Sequence, residues 1–237
     1  MQRELGNCTV ALRADQAEVL ELIPTGKHRL QELRFVPYDT RSAGRIFSHL
    51  HYLRSARSNS MNYALIDPEG RPVTLCSVSP LEWSVVGRQL RQQFGVLPER
   101  VWEVSRVYSF DIAPSNAISF LLAKVRAALR RTEPELDLLT TAVDANLGFT
   151  GSSYRAANWQ RWMSVRARPY FYLDGRYISP RQLREEYGTA NLAAVRTYSG
   201  GVVELSRASL LDSTIFCCRL RGETELLPVE GQRRLRR

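Results

Sequence analysis

The residues best suited to chemistry lie in the segment VDANLGFTGSSYRAANWQRW, from Val143 to Trp162. Asp144 follows an apolar run typical of a strand, so its carboxylate can bind a metal ion, orient a histidine or act as a base. Tyr154 can donate a proton or hydrogen-bond a ligand. Both residue types are also common in structural roles, because aspartate caps turns and tyrosine packs in cores with its hydroxyl in solvent.

Upstream of this segment, a histidine and a tyrosine are candidates for the same site. His51 and Tyr52 follow an amphipathic helix, and both are candidate catalytic residues. His51 and Asp144 together are candidate metal ligands, since imidazole and carboxylate are common ligand groups. The alternative for a single histidine is a structural one with satisfied hydrogen bonds, and we interpret His28 and His49 in that way.

A third group of candidates concerns anion binding. Arg106 interrupts an apolar strand, and a buried arginine needs an acid or an anionic ligand because an unpaired buried charge is costly. Glu103 is not predicted to be that acid, since an odd separation along a strand sends two side chains to opposite faces. Ser119 lies one turn into the next helix. The loop from Asp111 to Ser119 reaches a helix N-terminus, which favours anions, but it contains no glycine.

Charge points to a nucleic-acid partner. The formal net charge is +9, and all but two of the 33 basic residues are arginines. Arginine grips phosphate with paired hydrogen bonds and stacks on bases, although a GC-rich genome would produce the same bias. The densest basic-aromatic stretch predicts a nucleic-acid partner, with ordinary core packing as the alternative for any single aromatic. Its candidate nucleic-acid-binding residues are Arg155, Trp159, Arg161, Arg166 and Arg168.

The elements that must position these residues follow from hydrophobic periodicity. The sequence predicts strands at 29–37, 62–67, 72–79, 101–110 and 137–143, and helices after Asp39, at 82–94 and at 116–131. A strand–helix–strand unit thus spans about 101–143, and Asp144 follows its second strand. Ligands of open α/β sheets gather at the carboxyl ends of such strands. The basic-aromatic residues after Ser153 are predicted to begin a helix.

The remainder of the chain predicts an insertion and a closing strand. The insertion lies near 165–207, with a hairpin turning at Asp174-Gly175, a helix ending at Gly188, and a polar loop over the site at 189–207. The closing strand lies at about 210–220. We expect a single domain over 1–237, with its core at about 29–165 plus the closing strand, and a basic tail at 230–237.

Cysteine spacing and the N-terminus predict the compartment. The four cysteines lack C-x-x-C spacing, so structural zinc is not expected, and the adjacent Cys217 and Cys218 would point to opposite faces of a strand. No secretory h-region and no apolar run of membrane-spanning length occur. We therefore expect a protein of the cytoplasm, with reduced thiols and no membrane partner.

The order of elements resembles the N-acetyltransferase-type (GNAT) fold, and the motifs resemble the phage Mom proteins that share it. The predicted fold class is accordingly α/β, with a GNAT-like mixed central sheet flanked by helices. The resemblance covers roughly residues 40–165. It rests on His51-Tyr52, "SMNY" at 60–63, "EVSRV" at 103–107, "NAISF" at 116–120 and "D…GFTGSSYRAANW" from Asp144 to Trp159.

This resemblance implies a DNA-modifying transferase that converts adenine to N6-carbamoylmethyladenine and so protects phage DNA from restriction in the host cytoplasm. Its implied partner is double-stranded DNA. Iron is associated with that chemistry, and the missing glycine-rich loop leaves use of acyl-CoA open. His51 and Asp144 are then expected to bind metal or act as acid/base groups, and Tyr52 and Tyr154 to complete the pocket. Arg106 and Ser119 are expected to orient the group donor.

Two other functions fit the same residues. One is an acyl-CoA-dependent N-acyltransferase acting on a small amine or an already hypermodified base. The other is a DNA-binding protein that keeps the fold without catalysis. The donor molecule and the sequence context are not specified by any motif.

Overall fold

The computed structural model describes residues 14–222 except Arg168, Ser179 and Ala208, together with Arg234 and Leu235. Most of the predicted basic tail at 230–237 therefore lies outside the described residues. The helices are α1 (Thr40–His49), α2 (Ser84–Phe94), α3 (Ala117–Thr132), α4 (Ser152–Ala156), α5 (Pro180–Tyr187) and α6 (Leu192–Ser199). The strands are β1 (Arg34–Pro37), β2 (Met61–Ile66), β3 (Pro72–Pro80), β4 (Val101–Ser109), β5 (Leu138–Val143), β6 (Gln160–Val165), β7 (Phe171–Leu173), β8 (Arg176–Ile178), β9 (Val203–Leu205), β10 (Ser213–Arg219) and β11 (Arg234–Leu235).

The main sheet has eight strands in the order β1-β2-β3-β4-β5-β10-β6-β11. Neighbouring strands run antiparallel, except that β4 pairs with β5 and β6 with β11 in parallel. The β4–β5 pairing covers only Val101–Glu103 and Leu138–Thr140. Beyond it, the Thr141 hydroxyl donates to the Val104 carbonyl oxygen over 2.9 Å. The ladder between the carboxyl halves of these strands is thus replaced by a side-chain contact next to Asp144.

Helices cover both faces of this sheet because β2 and β3 are apolar on both sides. Leu65 of β2 packs in one cluster with Leu121 and Val125 of α3, whereas its neighbour Ala64 packs in another cluster with Phe47 of α1. Successive residues of a strand point to opposite faces, so α1 and α3 lie on opposite sides of the sheet. The predicted fold class, a GNAT-like mixed central sheet flanked by helices, is confirmed.

Residues 171–205 form the insertion, which builds a sheet of its own. This sheet has three strands in the order β8-β7-β9. Its small core contains Ile178, Leu183, Val195 and Val203. The predicted hairpin is present, because β7 and β8 pair antiparallel around Asp174 and Gly175, which both have positive φ.

Two predictions of local structure were wrong. The polar stretch 189–207 is not a loop: Asn191 caps α6 by accepting hydrogen bonds from the Ala193 and Ala194 amides, and β9 follows. The segment after Ser153 forms only the short helix α4, and residues 160–165 are strand β6, which pairs with β10. Trp162 and Met163 of β6 pack with Leu90 of α2, so tertiary burial selects the strand.

The positions of two cysteines and the properties of the helices bear on the sequence-based predictions. Cys217 and Cys218 of β10 are free thiols that pack in different clusters, as expected for adjacent strand residues. Cys8 lies outside the described residues. Within the described part of the chain, every helix is too short or too polar to span a bilayer.

Candidate active site

Asp144 lies directly after β5 and is held as a hydrogen-bond acceptor on both oxygens. Its Oδ1 accepts from the Asn146 amide over 2.9 Å and from Asn146 Nδ2 over 2.8 Å. Its Oδ2 accepts from the hydroxyl of Tyr170, which donates over 2.5 Å. Asp144 therefore does cap the turn that follows β5, but a second oxygen faces a phenol from just before β7. The charge is oriented by two segments that are far apart in sequence.

Tyr154 connects α4 to β5. Its hydroxyl oxygen lies 3.4 Å from Thr141 Oγ1, and its ring stacks on Phe216 with centroids 5.8 Å apart. Burial raises the pKa of Tyr154 to about 12. The phenol is therefore neutral at pH 7, and most of its ring belongs to the core. Gly151 allows α4 to approach closely, because a Cβ at that position would lie 2.6 Å from the Phe216 ring.

His51 is buried at the end of α1, with 5% of its surface exposed. The Leu53 amide donates to its Nδ1 over 3.2 Å. Burial, and then the positive charge of Arg106, lower the pKa of His51 to about 3. The ring is thus neutral near pH 7, and acceptance at Nδ1 places its proton on Nε2. His51 consequently offers a donor, whereas the sequence-based hypothesis left both acid and base roles open.

Arg106 is buried in β4 and binds the loop that follows α1. Its Nε donates to the Ser55 carbonyl over 3.0 Å and one terminal nitrogen donates to Ser55 Oγ over 3.0 Å. Glu103 forms a salt bridge of 2.6 Å with Arg57 of the same loop. The two strand residues thus contact this loop through different partners, Arg57 for Glu103 and Ser55 for Arg106. A register shift between Ser77 and Val78 interrupts the alternation of the β3–β4 pair, as a β-bulge does.

Electrostatic effects on two tyrosines show that these groups share one site. Burial is the largest cause of the raised pKa of Tyr52, followed by Tyr177 and Asp144, and Arg106 opposes them. Burial and Asp144 raise the pKa of Tyr177 to about 12, and Arg106 again opposes. Both charges therefore lie within reach of both phenols. The rings of His51 and Tyr52 are 4.5 Å apart, which joins the histidine to the same cluster.

The site opens to solvent at an aromatic rim. Tyr52 keeps 38% of its surface exposed and Phe149 keeps 48%. Their ring centroids are 5.8 Å apart. Tyr52 is thus crowded enough for burial to raise its pKa and still accessible from outside.

The insertion supplies site residues that sequence reasoning missed. Tyr170 binds Asp144, and Tyr177 of β8 packs against Tyr170 with ring centroids 5.6 Å apart. Gln182 of α5 anchors the insertion by donating to the Arg54 carbonyl over 3.2 Å. Tyr170 belongs to the basic-aromatic stretch, where its sequence neighbours mark it only as an aromatic near arginines. Nothing local in the sequence signals that its hydroxyl meets the acid 26 residues upstream.

Several predicted residues lie apart from this cluster. The Ser119 hydroxyl donates to the Asn116 carbonyl within its own helix, and among the described residues no hydrogen bond joins it to the cluster. Trp159 is only 4% exposed and packs against Tyr154, so it offers no face for base stacking in this structure. Arg155, Arg161 and Arg166 are exposed, as nucleic-acid binding requires. Arg168 lies outside the described residues.

A comparison with known families identifies the chain. The model of the Mom protein family matches residues 32–211. The chain belongs to the Mom protein family. The match includes every described residue of the cluster around Asp144, and it extends through the insertion that carries Tyr177.

Solved structures similar to this Mom family member are acetyltransferases. One is NAA60 of Arabidopsis thaliana in complex with acetyl-CoA, at 12% identity and a TM-score of 0.47, covering 80% of this chain and 99% of that chain. Another is a GNAT superfamily phosphinothricin acetyltransferase of Sinorhizobium meliloti in complex with AcCoA, at 12% identity and a TM-score of 0.46, covering 85% of this chain and 95% of that chain. No curated protein matches the sequence significantly.

The iron implied by the Mom resemblance does not fit the ligand atoms of His51 and Asp144. The Leu53 amide donates to Nδ1 of His51, so the ring proton lies on Nε2 and neither nitrogen offers a free lone pair to an ion. The causes of the lowered pKa of His51 are burial and Arg106, not Asp144. Within the described ranges, the group of three metal-binding side chains lies elsewhere, at His28, Asp67 and Glu69. We therefore assign no metal to the predicted pair and derive no catalytic step through iron.

The buried His51 of this Mom family member predicts an acid-sensitive fold. Its pKa is about 3 in the folded protein, against 6.5 for an unperturbed histidine. The unfolded chain therefore binds a proton at His51 more readily than the folded protein does. The contribution of His51 to the free energy of unfolding is fully present above pH 6.5, and it falls by roughly 1.4 kcal/mol per pH unit below that pH. We expect thermal melting to show a larger loss between pH 7 and pH 4.5 for the natural protein than for His51→Gln. Equal losses in the two proteins would contradict a buried neutral ring.

Proposed function

We propose that this protein is a DNA-modifying transferase that adds a small acyl-derived group, of the carbamoylmethyl type, to the N6 amine of adenine in phage DNA. Membership of the Mom family supports the reaction class. The observation that carries the proposal is the arrangement around Asp144: an oriented carboxylate beside Tyr170, within electrostatic reach of Tyr52 and Tyr177, behind an aromatic rim. Protection of the DNA from restriction would be the biological result.

The aromatic rim suits a base that has left the duplex. The exocyclic amine of adenine is stacked and paired inside DNA, and its lone pair is delocalised into the ring. An enzyme that modifies it must flip the base out, at a cost of a few kcal/mol, and hold it against aromatic walls. Tyr52 and Phe149 carry the exposed rings, and Tyr177 lies within electrostatic reach of Tyr52. We infer that adenine inserts along Tyr52 toward Asp144.

Asp144 and Tyr170 are suited to remove the proton from the attacking amine. Transfer forms a bond between N6 and a carbon of the donor, breaks the bond between that carbon and its leaving group, and releases one N6 proton. Tyr170 donates to Asp144 Oδ2, and a phenol oxygen can accept a hydrogen bond while its own proton is donated. Burial and the neighbouring Asp144 raise the pKa of Tyr170, so its phenol stays protonated at pH 7 and no phenolate is available as the base. We infer a concerted relay in which Tyr170 accepts the N6 proton and passes its own to Asp144.

Side-chain and backbone hydrogen-bond donors are both proposed to bind the molecule that supplies the transferred group. Arg106 carries a positive charge at the cluster, and His51 offers its Nε2–H, so both suit a carbonyl oxygen or an anion that gains charge in the reaction. The N-terminus of α3 has no side-chain cap, and the amides that follow Ala117, whose own N–H donates to the Pro114 carbonyl, suit a phosphate. An acyl-CoA donor would use that end, with Ser119 contributing its backbone rather than its locally bonded hydroxyl.

The exposed arginines beyond Tyr154 are proposed to hold the DNA backbone. We expect replacement of Arg155, Arg161 and Arg166 by glutamine to weaken duplex binding and to lower the slope of log K against log salt by about 0.9 for each phosphate that is no longer neutralised. Fluorescence anisotropy at several salt concentrations measures both effects. A matched control replaces three exposed arginines elsewhere, Arg41, Arg88 and Arg91. An equal loss of affinity in the control would indicate diffuse charge attraction and not a DNA-binding segment.

Nucleoside mass spectrometry tests the function directly. DNA from cells that express the protein is digested, and its nucleosides are weighed. A modified deoxyadenosine supports the proposal. Unmodified nucleosides, together with acylation of a small amine in an acetyl-CoA assay, would favour a small-amine acyltransferase. Salt-sensitive duplex binding without any product would instead favour a non-catalytic DNA-binding protein.

A further inference from the structure

A second cluster of ionisable side chains lies at the turn between β2 and β3. His28, Asp67 and Glu69 each offer a ligand atom there, and these atoms lie within 4.8 Å of one another. The cluster is separate from the Asp144 site, because β3 and β4 lie between β2 and β5 in the sheet. We propose that it binds a divalent first-row transition-metal ion such as Zn²⁺ or Mn²⁺.

Asp67 provides a buried oxygen that has no hydrogen-bond partner among the described residues. Its side chain is fully buried, with 0% exposed surface. Its Oδ1 accepts from the Arg71 amide over 2.7 Å, and the Asp67 amide donates to the Arg71 carbonyl over 2.9 Å. Its Oδ2 has no hydrogen-bond partner among the described residues. A buried carboxylate oxygen left in this state is costly, and a bound cation removes that cost.

His28 is oriented as a metal-binding histidine would be. Its Nε2 lies 3.9 Å from Asp67 Oδ2, which is too long for a hydrogen bond, and Nε2 too is buried without a partner in the described chain. Its Nδ1 lies 3.9 Å from Glu32 Oε2. Metal-binding histidines direct one nitrogen at the ion and the other at a carboxylate. A simple ion pair would instead bring the nitrogen to about 2.8 Å from the carboxylate oxygen.

The ligand types select the class of ion. One imidazole and two carboxylates suit Zn²⁺ or Mn²⁺, whereas Ca²⁺ and Mg²⁺ prefer oxygen ligands alone. Ligand atoms at about 2.0–2.2 Å from an ion are at most ~4.4 Å apart, so small side-chain rotations close the site. Glu69 is exposed and free to make that adjustment. The ion would join the segment before β1 to the β2–β3 hairpin and so stabilise the folded state.

Metal titration of the full-length protein tests this site. The protein is stripped with a chelator and dialysed, and ZnCl₂ or MnCl₂ is then added while calorimetry measures stoichiometry and thermal melting measures Tm. We expect one equivalent to bind and to raise Tm. Glu69→Gln and His28→Gln should each weaken binding at least tenfold. Because Glu69 is exposed, its variant tests the site without disturbing the core.

Two histidine variants serve as controls. His49→Gln and His51→Gln should bind the ion as tightly as the natural protein, because neither residue belongs to the cluster. Binding that is unchanged in both Glu69→Gln and His28→Gln would overturn the proposal. So would a loss of binding in His51→Gln, since the ion would then lie near the Asp144 site. Neither result depends on transferase activity, so the proposed function is tested separately.

Discussion

Asp144→Asn is expected to reduce base modification by at least about 100-fold, which is the contribution typical of a positioned proton acceptor. Asparagine has the same shape and keeps one carbonyl oxygen for the Asn146 amide. It cannot take a proton, and if its amide nitrogen faces Tyr170 the hydroxyl no longer has a charged acceptor. The relay from N6 through Tyr170 then has no end point. The measurement is the amount of modified deoxyadenosine in DNA from cells that express equal amounts of each protein.

Asp137→Asn is the matched control for this variant. Asp137 lies just before the start of β5, at the end opposite Asp144, and binds Arg100 over 3.0 Å. We expect it to retain modification, and we expect both variants to retain duplex binding and a cooperative melt. Tyr170→Phe should lower modification as well, because it removes the relay hydroxyl and keeps the ring. Full modification by Asp144→Asn would show that the acid serves only to cap its turn.

Gly151→Ala is expected to lower the free energy of unfolding by about 2–4 kcal/mol. The φ of Gly151 is +72°, which is unfavourable for any residue with a Cβ. The added Cβ would also lie 2.6 Å from two atoms of the Phe216 ring. Phe216 is 1% exposed and stacks on Tyr154, so the ring has no free space to move into. Urea denaturation of both proteins gives the difference.

Gly148→Ala separates the two causes of this destabilisation. Its φ is +82°, but a Cβ there meets nothing within 4 Å. We therefore expect a decrease of only about 1–2 kcal/mol, from the backbone conformation alone. If the two variants are destabilised equally, the approach of α4 to Phe216 contributes nothing. A larger effect for Gly151→Ala would assign the remainder to that approach.

The helices and strands predicted most accurately are those with a regular apolar pattern in their own sequence. The helix expected at 116–131 is α3, and the strand expected at 137–143 is β5, because each buries a regular apolar pattern. Asp144 could be placed at a strand end on the same basis. β6 could not be predicted, because its six residues become a strand only through pairing with β10. Its two neighbours in the sheet come from much later in the chain.

The candidate site divides in the same way. His51, Tyr52, Arg106 and Asp144 were recognised from sequence, and their roles remain predictions. The partnership of Asp144 with Tyr170 depends on how the insertion docks, and no local spacing encodes that docking. Trp159 was assigned to DNA because arginines surround it, yet burial against Tyr154 decides its position. Composition identified the right segment but not which of its side chains face outward.

The hydroxyl of Tyr170 comes from outside the main sheet, whereas the carboxylate of Asp144 follows a strand of that sheet. The acid and its hydrogen-bond donor therefore belong to different parts of the fold. The central fold can stay constant while changes in residues 171–205 alter how firmly that charge is held. Selection acting on the peripheral sheet would then tune the reaction without disturbing the scaffold. Related chains that differ mainly in this region should differ in the rate of the proposed transfer before they differ in how they fold.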